Sequence, residues 1–177
     1  MAHIHTGPGE HDSTASAYIV RTDGIEPVLL LHMHKKLPQY LQFGGHVELH
    51  ENPWDAITHE IAEESGYRIG QLQLLQPALR IRKLSNVLVH PVPVSFLTHE
   101  FEGLNHNHTD MAFAFTVAED PADSIAEGES AIMKSFTVAE LKALSQKDIP
   151  DNVREIGIFI LEEILGQWES IPSPTAA

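Results

Sequence analysis

The chain has 177 residues, with 25 acidic side chains against 11 basic ones, a formal charge of −14, 42% hydrophobic residues and no cysteine. That composition supports a packed core in one domain, expected over residues 1–170, and it excludes disulfides, thiolate metal sites and a cysteine nucleophile. The acidic balance disfavours nucleic-acid backbones. No run approaches the ~18 apolar residues of a membrane span, and MAHIHTGPGEHD lacks a basic-then-apolar secretion signal, so a cytoplasmic protein is expected.

Taken in chain order, Ser13–Arg21 (STASAYIVR) reads as a first strand, Asp23-Gly24 as a turn and Val28–His32 as a buried strand. Residues 39–43 (QYLQF) form a short strand that runs into Gly44-Gly45. A helix follows, with Asn52 as N-cap, Pro53 at the first helical position, Asp55 in the first turn and Gly66 as its stop. Ala56, Ile57 and Ile61 give it an apolar stripe. Further strands are expected at Leu84–Phe96, interrupted by Pro91 and Pro93, at Asp110–Val117 and at Ala131–Phe136. Val138–Leu144 and Asn152–Trp168 read as helices, the second amphipathic with an apolar face wide enough for a possible homodimer contact. Residues 171–177 are expected to form a disordered tail.

Three carboxylates, Glu60, Glu63 and Glu64, crowd the end of the first helix. Glu60 and Glu64 are one turn apart on the same face, where like charges repel by roughly 0.2–0.5 kcal/mol. No lysine or arginine in the helix lies three or four residues away to relieve them. A divalent cation would turn that repulsion into attraction, and hard oxygen ligands suit magnesium or manganese. Glu63 could join such a site or hold a water as general base. Scattered acids on a solvated helix face are the plainer alternative.

Read whole, GGHVELHENPWDAITHEIAEESGY resembles the Nudix box, Gly-x5-Glu-x7-Arg-Glu-aliphatic-x-Glu-Glu-x-Gly-aliphatic. Gly45, Glu51, Glu60, Glu63, Glu64 and Gly66 all fall at the required spacing. TASAYIV, VLLLHMHKKLPQYLQFGGHVE and HNHTD before AFAF extend the likeness to one bacterial subgroup. The resemblance implies an α/β/α sandwich around a mixed sheet, with the box as a loop–helix–loop. It implies a hydrolase that uses Mg2+ or Mn2+ to cleave a nucleoside diphosphate linked to another group. By the same resemblance Glu60 and Glu64 are the main metal ligands, Glu63 is the third carboxylate, Gly45 offers a carbonyl, and Glu51 is the acid that pairs with the box-arginine position and steadies the loop.

Two positions depart from the pattern. His59 replaces the box arginine, a permanent cation, with a shorter group that is charged only when protonated. Tyr67 replaces an aliphatic residue, which concerns packing. Outside the box, Glu129 is a further base or ligand, or else a solvated loop acid.

The remaining histidines and cations stay open. HIH (His3 and His5) and His11 could bind a transition metal or form a polar terminus. His106, His108 and Asp110 alternate to one side of a strand, as zinc ligands or substrate contacts. His46 and His50 sit in the box loop, facing phosphate or solvent. Arg80 and Arg82 of RIRK suit phosphate recognition or a charged turn. Tyr40, Phe43 and Phe96 are stacking candidates, more often found in a core. The implied function is a phosphoanhydride hydrolase. The rivals are a non-catalytic ligand sensor with a degenerate box and a histidine-rich metal binder on the same fold.

Overall fold

The computed structural model describes residues 9–101 and 106–175, without the side chains of Phe101 and His106. The strand β1 (His11–Arg21) organises the rest. It runs parallel to β7 (His106–Val117) along its whole length, from His11 opposite Asn107 to Arg21 opposite Val117. Its other edge is shared. The C-terminal half pairs antiparallel with β2 (Val28–Met33), and the N-terminal half with β4 (Phe43–His46). β3 (Tyr40–Leu41) and β8 (Met133–Phe136) flank β2. On the far side, β5 (Gln73–Gln76) and β6 (Ser95–Phe101) both pair with β7, and β9 (Glu169–Pro172) pairs with β5.

This mixed nine-stranded sheet is covered on both faces. Ala15, Ala17 and Ile19 of β1 join Trp54, Ile57 and Ile61 of α1 (Pro53–Ser65) in one core. Tyr18 and Val20, one residue out of phase, join Leu141 of α2 (Val138–Ala143) and Val153 of α3 (Asp151–Phe159) in the other. Burial on both faces explains why β1 reads as a continuous apolar run after Ser16. The expected α/β/α sandwich is what forms. No helix among the described residues is long and apolar enough to cross a membrane.

Several local expectations shift. The strand expected over Leu84–Phe96 begins only at Ser95, because Pro91 and Pro93 lack the N–H a ladder needs. The strand expected over residues 39–43 is two short ones that break at Gln42 and serve different partners, β2 and β1. The last helix starts at Asp151 and continues from α3 through a π turn at Ile160–Ile164 to Gln167. Residues 171 and 172, expected within a disordered tail, belong instead to β9. Beyond them, the Ser173 N–H donates to the Leu72 carbonyl. β5 was not anticipated at all.

Candidate active site

The helix α1 is built as its sequence directs. The Asn52 side-chain carbonyl accepts from the Trp54 and Asp55 N–H groups at 2.9 and 3.0 Å, and Gly66 ends the helix at φ 73°. Trp54 stacks edge-on against Phe113 at 5.5 Å, so the apolar stripe fixes the rotation of α1 on the sheet. That rotation turns Glu60 and Glu64 toward β4. The Gly44 N–H donates to Glu64 Oε2 at 2.8 Å. A β-carbon built on Gly45 would lie 2.0 Å from Glu60 Oε1, so only a glycine lets this carboxylate reach the strand backbone.

Both carboxylates are poorly solvated. Burial pushes the Glu64 carboxyl up to about 8, opposed by the Gly44 N–H and reinforced by the charges of Glu60 and Glu129. Burial likewise raises Glu60 to about 7, with His59 opposing and Glu63, Glu129 and Glu51 adding repulsion. Two carboxylates raised this far by desolvation and mutual repulsion form a donor set that a hard divalent cation would stabilise in its ionised form. Carboxylate oxygens are hard donors, the ligand type that magnesium and manganese take.

Around this pair the other box residues take separate places. His59 Nε2 lies 3.0 Å from Glu63 Oε1, and both side chains are about half exposed. Glu63 thus shares the outer flank of the helix with His59. Glu51 Oε1 accepts the Glu48 N–H at 3.0 Å, which closes the loop ahead of α1. Among the described residues, Glu51 makes no hydrogen bond to His59. Tyr67 is fully buried and its hydroxyl donates to the Glu119 carbonyl at 3.0 Å, a packing position.

Glu129 does approach the pair, since its charge bears on both Glu60 and Glu64. Its loop is stitched to the end of α1 by Asp123 N–H to the Gly66 carbonyl at 3.0 Å and Ala126 N–H to the Glu63 carbonyl at 2.8 Å. Lys35, which sequence reasoning missed, holds Glu129 at 2.5 Å. Its charge also reaches Glu64 and Glu60. The signal was present in HMHKK, but nothing local aims that lysine at a loop so distant in sequence.

A cleft of about 330 Å3 opens on the opposite face of the sheet and meets the box at Gly44 and Gly45. His32, His34, His46, His99, His108 and Asp110 are among its lining. His32 Nε2 also comes within 3.7 Å of Glu64 Oε2. Of the anticipated His-x-His-x-Asp, His108 and Asp110 both reach this cleft, while for His106 only the backbone in β7 is described. Asp110 Oδ1 accepts from the Thr14 and Ser16 hydroxyls at 2.8 and 2.9 Å.

Arg80 and Arg82 stand elsewhere. Both donate to Glu169 Oε2, at 2.9 and 3.1 Å, and they line a different cavity of about 460 Å3 with Trp54 and Ile171. That cavity shares no lining residue with the cleft beside the box. Phe43 is wholly buried, Tyr40 packs on Phe136 at 5.0 Å, and Phe96 is exposed. His50 is exposed in its turn, and His11 Nδ1 lies 2.9 Å from Thr109 Oγ1. His3 and His5 lie outside the described residues.

A mixed sheet between two helical layers, with an acidic helix behind a glycine pair, defines the Nudix class of fold. A family profile for the NUDIX domain matches residues 11–156. The chain belongs to the Nudix family. Among solved structures it is similar to a NUDIX-family hydrolase from Clostridium perfringens, at 28% identity and a TM-score of 0.69, covering 85% of this chain and 96% of that one. The Ap4A hydrolase of C. elegans, in a binary complex, shares the fold at 15% identity and a TM-score of 0.60, covering 82% and 91%. So does the NUDIX domain of Shewanella oneidensis NrtR complexed with ADP ribose, at 10% identity and a TM-score of 0.58, covering 82% and 84%. No curated protein matches the chain.

Proposed function

We propose that this chain is a divalent-metal-dependent hydrolase that cleaves the phosphoanhydride bond of a nucleoside diphosphate derivative. The observation that carries the reading is the Glu60–Glu64 pair closed over Gly44 and Gly45, two glycines that also line the cleft of about 330 Å3. Glu60, Glu64 and the Gly45 carbonyl would hold Mg2+ or Mn2+, with Glu63 on the outer flank. A bound ion of this kind supplies charge neutralisation at the phosphates and an acidified water.

The chain's own residues do the rest. The Gly44 N–H fixes one oxygen of Glu64, which leaves the other to a ligand. Glu129, half-buried and held by Lys35, is the carboxylate we assign to take a proton from water. The side chains of the histidine-lined cleft can donate to phosphate or sugar oxygens. That the fold neighbours include an Ap4A hydrolase and an ADP-ribose complex supports a nucleotide derivative as ligand.

One observation favours a second reading. His59, in place of the box arginine, pairs with Glu63 at 3.0 Å, and its effect on Glu60 is through charge rather than a hydrogen bond. A sensor domain that binds the same ligand without cleaving it would tolerate that. Product release from a panel of nucleoside diphosphate derivatives, with Mg2+ or Mn2+ and with Glu64→Gln as control, separates the two.

A further inference from the structure

Three neighbouring strands each bring one metal-binding side chain to the cleft face of the sheet, away from the box carboxylates. Asp12 of β1 stands opposite His108 of β7 in the parallel register. His46 of β4 stands opposite Thr14, two residues along β1 from Asp12 and so on the same face. One donor atom from each of Asp12, His46 and His108 lies within 4.8 Å of the other two, the one such group among the described residues. His46 Nε2 is 3.7 Å from Asp12 Oδ2, and the His46 and His108 rings meet edge-on at 4.9 Å.

We infer that Asp12, His46 and His108 form a second metal site that takes a transition-metal ion, zinc above all, distinct from the magnesium-type box. Donor chemistry separates the two. The box offers only oxygens, which suit magnesium or manganese, whereas two imidazoles and one carboxylate suit zinc and its neighbours. Four-coordinate zinc has bonds of about 2.0–2.1 Å and therefore ligand atoms roughly 3.3 Å apart. The present donor separations, 3.7 Å between His46 and Asp12 and within 4.8 Å for the set, would have to contract on binding.

Burial points the same way. Asp12 is 6% exposed and His46 9% exposed. A divalent ion would offset part of the cost of holding a carboxylate this far out of water. Three protein ligands leave a fourth tetrahedral position open. Because His46 and His108 both line the cleft, that position gives onto it, one residue from Gly45. The ion would present a Lewis acid to an anionic oxygen of whatever occupies the cleft.

The test is zinc binding, which does not depend on turnover. Full-length protein stripped with a chelator is titrated with Zn2+ against a chromophoric competitor, in wild type and in Glu64→Gln. One equivalent is expected in both. His46→Ala, His108→Ala and Asp12→Asn should each weaken it by more than about 100-fold, beyond the cost of losing an outer-shell partner. A protein with His3→Ala and His5→Ala should keep it. Zinc X-ray absorption on the wild type gives a reading independent of any variant and should show two imidazole ligands. Absence of stoichiometric zinc, binding unaffected by the three substitutions, or binding lost only with His3 and His5 would each overturn the site. A failed hydrolase assay would leave this result standing.

Discussion

Gly45 and Glu60 approach so closely that a single added methyl group would fall 2.0 Å from the carboxylate oxygen, whereas the same group on Gly44 would meet the Ala15 carbonyl oxygen at 2.3 Å and Ser16 Cα at 2.9 Å. Adjacent glycines are therefore required for different reasons. The obstacle at Gly45 is the end of a flexible side chain, and that at Gly44 is backbone, with φ 143° as an added constraint. Gly45→Ala should displace Glu60 and lower kcat roughly 100-fold, the order expected from a 1 Å misplacement, with stability changed by less than about 1 kcal/mol. Gly44→Ala should cost at least about 1–3 kcal/mol of stability. Thermal melts and kinetics on the pair check the contrast, and equal destabilisation of both would contradict it.

The metal-free protein should lose stability as pH rises. The carboxyls of Glu60 and Glu64 sit at about 7 and about 8 in the folded chain, above the ordinary value of 4.5. A raised folded value means that the contribution is complete below about pH 4.5 and is lost as pH climbs through 7 and 8. Melting temperatures in chelator should fall across that window. Added Mg2+ should restore them most at pH 8, and Glu64→Gln should flatten the chelator curve. A flat profile in the wild type would show that the pair is better solvated than its burial indicates.

Glu129→Gln separates a proton acceptor from a solvated loop acid. If this carboxylate takes the proton, kcat falls by roughly 100- to 10,000-fold with substrate KM little changed. The Lys35 contact is partly exposed and is worth no more than about 1 kcal/mol to stability, so the fold should persist. A loss within twofold would remove Glu129 from the reaction.

Arg80 and Arg82 should matter little to turnover. Both are tied to Glu169 and line the other cavity, so Arg82→Ala should leave kcat/KM within about twofold while the bond to Glu169 is lost. Steady-state kinetics reports this directly. A tenfold rise in KM would mean that substrate extends around the sheet to that cavity.

The box was readable because its determinants are local. Asn52, Pro53 and Gly66 fix both ends of α1, and the spacing from Gly45 to Glu64 fits one loop and one helix. The core strand β1 was readable for the same reason, by its run of apolar residues. What escaped depends on partners distant in the chain. Glu169–Pro172 is short and proline-bearing, with Ile171 its one aliphatic residue, and it becomes a strand by pairing with β5. Lys35 and Glu129 meet through folding alone, as do Asp12, His46 and His108. The His-x-His-x-Asp alternation was visible, but the Thr14 and Ser16 hydroxyls, on a strand far away in sequence, claim its aspartate.

Metal-dependent product release by the wild type, measured beside Glu64→Gln and His59→Arg over a panel of nucleoside diphosphate derivatives, tests the central claim most directly. The hydrolase reading predicts turnover in the wild type with Mg2+ or Mn2+, at least about 100-fold lower in Glu64→Gln. Ligand binding without any product from the wild type, and activity that emerges only in His59→Arg, would contradict it and identify a sensor with a disabled box.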